Sequence, residues 1–237
     1  MNGKLILLVG ILAGQTLAIA DDKAVPFVPT SAYVNRQVEG WTVHVNQALL
    51  GDKKALGDRA LALMETKLKE VEAVLPEKVV DRLRKVPIWL GVNDGQAPGA
   101  EYHPSREWLK DNGYNPDKAK GVEIGNAQSF VTWSEQQPSM VLHELAHAYH
   151  DQVLDFDHPE ILAAYRRVKE SGKYDKIKHV NGREERHYAL TDQKEFFAEM
   201  TESVFGRNDF YPFTRGELEA FDPQTARMVK AMWLGEE

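Results

Sequence analysis

Cysteine is absent from the 237 residues, which excludes a disulfide framework, a thiol nucleophile and any Cys-ligated metal. His, Asp and Glu remain as the strong ligand set. A concentrated basic stripe is also missing. With 29 Lys and Arg against 36 Asp and Glu, a formal net charge of -7, the footprint of a nucleic-acid binder is lacking and no nucleic-acid partner is expected. No internal repeat, low-complexity run or long Gly/Ser linker divides the chain, and its length suits one core. After the first twenty residues no stretch is apolar enough to span a bilayer.

Residues 1–20 read as a signal peptide: Lys4, an apolar run over residues 5–13, then Ala18-Ile19-Ala20 ahead of Asp21-Asp22. Gly14, Gln15 and Thr16 interrupt the run short of the roughly 20 residues that cross a membrane. Cleavage is expected after Ala20, leaving residues 21–237 as a single secreted or periplasmic domain with no membrane attachment. Oligomeric state is not encoded in any pattern of the sequence.

The expected class is α+β, with a small mixed sheet in the N-terminal part and a mainly helical C-terminal part. Trp41, Val43 and Val45 alternate at period two and suggest a strand over residues 38–45. Leu61, Met64, Leu68, Val71 and Leu75 recur at helical spacing up to Pro76, and a short helix should follow through Val79 and Leu83. The apolar run 86–92 predicts a buried central strand, and residues 99–103 and 122–126 predict further strands. Residues 122–126, the last extended segment before the main motif, are expected to form a sheet edge that pairs with an extended peptide. Helices are predicted over 105–112, 140–153, 159–170, 193–205 and 223–234, and a hairpin over 177–188 around Asn181-Gly182.

His143-Glu144-Leu145-Ala146-His147 carries the chemistry. Residues i and i+4 share a helix face, so both imidazoles can reach one zinc ion at roughly 2.0 to 2.1 Å, with Glu144 one residue along as general base toward the attacking water. Such a site needs a third ligand, and His150 and Val153 occupy the positions where an extended pattern would require Gly and His. Glu195-Phe196-Phe197-Ala198-Glu199 is the best source: Glu195 as ligand, and Glu199 one turn on to accept the free ring N–H of a zinc His. Spacing alone does not fix which of the two carboxylates plays which part. His103 is a minor candidate to line the cleft, Asp151, on the His143/His147 face, one to support a ligand from behind, and His150 is expected at the surface.

The ordered set HELAH, Tyr188, EFFAE resembles the catalytic domain of the anthrax lethal factor-like zinc metallopeptidases, zincins in which Glu is the third ligand. A catalytic Tyr precedes that Glu at the offset found here, seven positions. The likeness covers about residues 140–205. It implies a zincin-like fold, peptide-bond hydrolysis of a peptide or protein substrate with one Zn2+ per chain, His143, His147 and Glu195 as ligands, Glu144 as base, Tyr188 as hydrogen-bond donor in the transition state, and Glu199 as partner of a ligand. From residues alone Tyr188 also reads as an aromatic of the hairpin.

Two rival readings use the same residues. Glu144-x-x-His147 and Glu184-x-x-His187, with Glu195 and Glu199, match the ligand inventory of a di-iron carboxylate bundle, although Glu184 falls in the hairpin and His143 is left unexplained. The other is a non-catalytic domain that keeps zinc or binds a partner. Structural zinc sites, however, prefer four protein ligands and need neither Glu144 nor Tyr188.

Overall fold

The computed structural model describes residues 27–94 and 99–235. The expected signal peptide, residues 1–20, lies outside the described residues. Strands β1 (Tyr33–Val38) and β2 (Trp41–Asn46) pair as an antiparallel hairpin. This corrects the single strand expected over 38–45. The chain reverses at Glu39 and Gly40, whose φ values of 48° and 80° belong to the tight hairpin turns whose twist matches their strands. A Cβ on Gly40 would also lie 2.7 Å from Arg84 Nε.

β2 pairs in parallel with β3 (Ile88–Leu90), β3 in parallel with β5 (Val122–Ile124), and β5 antiparallel with β4 (Ala100–Tyr102). The order is β1-β2-β3-β5-β4. The expected central strand is central, and its residues are buried on both faces. The expected edge is not an edge. β5 has a neighbour on each side, and β4 is the edge strand at that end, opposite β1, because the segment returning from 99 to 103 adds itself outside β5.

One sheet face is apolar. Trp41, Val43, Val45, Ile88, Leu90, Val122 and Ile124 join a core with Ala60, Met64, Leu68 and Val71, which repeat along one side of α1 (Lys54–Val74). α2 (Glu77–Leu83) follows Pro76 and adds Val79, Val80 and Leu83. The other face carries a buried ion network. Lys118 Nζ lies 2.6 Å from Asp94 Oδ2 and also bonds Glu123, whose Oε2 is 2.7 Å from His103 Nε2. The Tyr33 hydroxyl closes the chain on Asp94. Ser105 caps α3 (Arg106–Asp111) as expected. α4 (Ala127–Trp133), which lacks a readable apolar period, is nucleated by Asn126 Oδ1 accepting from Ser129 N at 2.9 Å.

The C-terminal part is largely helical. α5 (Met140–Tyr149) is buried at every residue and packs against β4, β5 and α7 (Gln193–Phe205). It passes into a π-turn over His150–Leu154 instead of continuing as α-helix to 153, and stops at Asp155, φ 75°. α6 (Pro159–Ser171) ends at Gly172, φ 66°. The expected hairpin is a two-residue ribbon, β6 (Ile177–Lys178) against β7 (Glu184–Glu185), and Tyr188 lies beyond it on a 3-10 turn, Tyr188–Leu190. α8 (Arg215–Phe221) and α9 (Pro223–Leu234) complete an α+β fold, with α9 against α7. Among the described residues no helix is long and apolar enough to cross a membrane.

Candidate active site

α5 puts His143 and His147 one turn apart on the side facing α7, their ring centroids 4.8 Å from each other. α7 starts where Asp192 Oδ1 accepts the N–H groups of Lys194 and Glu195 at 2.8 and 3.0 Å, so the cap sets the first turn that carries Glu195. His143 Nε2 is 3.1 Å and His147 Nε2 3.4 Å from the same oxygen, Glu195 Oε2. One donor atom from each residue lies within 4.8 Å of the others, a cluster that fits a single metal ion.

The electrostatics suit a cation. Burial alone would lift the Glu195 carboxyl, but the hydrogen bonds of His143 and His147 outweigh it and hold it far below the usual carboxylate range. Burial likewise opposes charge on His143, and Glu195 and Glu202 overcome it, raising that ring well above the ordinary imidazole value. His147 is lowered, chiefly by burial. Glu144 is pushed up to about 8 by burial, and its Oε2 accepts the N–H of Tyr102 at 2.8 Å. The base is thereby tied to the free edge strand.

The hydrogen bond expected of Glu199 is made by Glu202. His143 Nδ1 donates to Glu202 Oε1 at 2.6 Å, while Glu199 Oε1 is 3.8 Å away. By holding a proton on Nδ1, this contact would leave Nε2 of the neutral ring as the atom that faces a metal in place of its proton. Glu199 sits one layer back, accepting from Asn208 Nδ2 at 3.0 Å, and burial followed by repulsion from Glu202 raises its carboxyl well above the usual range. Glu202 follows Glu195 by seven positions, two helical turns on the same face of a helix buried from Phe196 onward, and that period was the available signal.

Tyr188 is 47% exposed. Burial of the rest, then the carboxylates of Glu195, Glu199 and Glu144, push its phenol up to about 12, so it stays a donor at neutral pH. Other candidates fall elsewhere. His103 pairs with Glu123 on the far face of the sheet, and Asp151 accepts from Tyr102 Oη at 2.5 Å and pairs with Lys120. His150, expected at the surface, is fully buried between Phe156 and Phe197. Glu184 is exposed and paired with Lys176 at 2.8 Å, so it takes no part in a buried carboxylate cage and the di-iron reading fails.

A buried His-Glu-x-x-His turn met by a carboxylate from a following helix decides the type. This is a zincin-type metal-binding arrangement. With its adjacent Glu144 it is the active site of a metal-dependent hydrolase. Comparison with protein-family models, curated proteins and solved structures finds no match.

Proposed function

We propose that the chain is an exported zinc metallopeptidase in which His143, His147 and Glu195 hold one zinc ion, Glu144 is the general base and Tyr188 donates to the developing oxyanion. The observation that carries this reading is the convergence of two Nε2 atoms on one carboxylate oxygen, at 3.1 and 3.4 Å. Two imidazoles and a carboxylate are a donor set that zinc accepts in catalytic sites with a fourth position open. When bound, zinc supplies Lewis acidity that polarises a carbonyl and brings the pKa of a water toward about 7.

With a cation held by the neighbouring histidines, the Glu144 carboxyl is drawn back toward its ionised form, in which it takes the proton of the attacking water and passes it to the leaving amine. Tyr188, protonated across the working range, binds the oxygen on which negative charge develops. Antiparallel alternation turns the backbone groups of Ala100 and Tyr102 away from β5; the Tyr102 N–H is taken by Glu144, so an extended peptide would pair through the Ala100 groups and pass beside Glu144. Export rests on the amino-terminal pattern of Lys4, an apolar run and Ala18-Ile19-Ala20.

Glu144→Gln keeps the ligands and removes the base. Its zinc content should match the parent while hydrolysis of a peptide library falls by about 10² to 10⁴-fold. Undiminished hydrolysis in that variant would overturn the assignment.

A further inference from the structure

His187, half of the discarded Glu184-x-x-His187 pair, has no place at the metal, yet it is 1% exposed and directly precedes Tyr188. We propose that His187 is a positioning residue for Tyr188: its ring caps the turn that carries the phenol and seats that turn against α7. The proposal rests on the catalytic role of Tyr188 given above.

Tyr188 cannot be fixed by its own packing, because about half of it is exposed. Its neighbours are fixed: Ala189 is 0% and Leu190 1% exposed. The phenol is therefore aimed by the backbone of a three-residue 3-10 turn, a short element with poor hydrogen-bond geometry of its own. His187 supplies what the turn lacks. Its Nδ1 accepts Ala189 N–H at 3.1 Å, its carbonyl accepts Leu190 N–H at 3.1 Å, and its own N–H donates to Tyr174 O at 3.0 Å.

The ring is held in turn. It stacks on Phe210 at 5.0 Å and 23°, and its centroid lies 5.4 Å from that of Tyr174. Its Nδ1 is 3.8 Å from Glu199 Oε2 on α7. Because Nδ1 accepts, the ring proton is on Nε2. Burial pulls the imidazole down to about 3, so acid in the working range does not remove the acceptor. An Asn at this position would offer the same acceptor to the N–H two residues on, as in an Asx turn.

The test uses the zinc-loaded chain from Asp21 and a quenched-fluorescence peptide library. His187→Leu removes the acceptor and His187→Asn retains one. Where Leu fails to fold, His187→Phe removes the acceptor and keeps the ring stack. Each is made alone and with Tyr188→Phe. Loss of the cap should lower kcat by up to about 10²-fold, the scale of a group misplaced by roughly 1 Å, with KM and zinc content unchanged and exchange of the Ala189 amide accelerated. His187→Asn should recover amide protection and most of kcat, and in the Tyr188→Phe background the His187 substitutions should cost nothing further. Equal losses in both backgrounds, or an Asn variant no better than Leu, would overturn the proposal. If Tyr188→Phe alone leaves kcat unchanged, the catalytic role of Tyr188 fails and its positioning has no consequence. Unchanged Ala189 exchange in the acceptor-free variants overturns the cap itself.

Discussion

His143 is held from both ends, by Glu195 at Nε2 and by Glu202 at Nδ1. A metal ligand whose second nitrogen is fixed by a carboxylate typically loses about 10 to 100-fold in metal affinity when that carboxylate is removed. Glu202→Ala should show a loss of that size in competition with a chromogenic chelator, and Glu199→Ala a smaller one; the reverse order would restore Glu199 as the partner. At this scale the sequence was most informative where chemistry maps onto helical spacing, as for His143, Glu144, His147 and Glu195. It did not decide between Glu199 and Glu202, which both recur on the Glu195 face at four and seven positions, because that choice depends on how α5 crosses α7. His150 was misplaced against the helical period itself: three positions after His147 and seven after His143 it shares their face, and Phe156 and Phe197 enclose its ring.

The first turn of α7 depends on a cap. Asp192 satisfies the N–H groups of Lys194 and Glu195, and Asp192→Ala should destabilise by about 1 kcal/mol, a fall in melting temperature of about 2–4 °C at this size. No fall in a thermal melt would mean that packing of Phe196 and Phe197 sets the helix start unaided. Elements with a clear apolar period, α1 and α7 among them, were legible in the sequence. α4 was not, since its only local signal is the Asn126 cap, and the β1–β2 turn was missed because Glu39 adopts a positive φ that Gly more often supplies. The edge strand is a third case: pairing order in a sheet is decided by tertiary packing, so chain order named β5 where β4 holds the position.

Across the whole molecule, Lys118 joins the segment at Asp94 to β5 through Glu123, and Tyr33 extends the link to β1. Such contacts span long separations in sequence and were not legible in it. Lys118→Met would strand two buried carboxylates, and equilibrium unfolding should show a loss of about 3–5 kcal/mol; a neutral effect would mean that the network is not ionised. Burial would raise Glu123, but His103 and Lys118 outweigh it and its carboxyl lies below the ordinary 4.5. Its contribution is therefore present above that value and lost as the pH falls through the lowered one, so acidification should depress the melting temperature, less so in Lys118→Met. All of this scaffold serves one claim, that α5 and α7 together hold a zinc ion. Elemental analysis of the chain from Asp21, purified without added metal or chelator, tests it most directly. One zinc per chain is the predicted result; two irons, or no metal retained even after zinc titration, would contradict it.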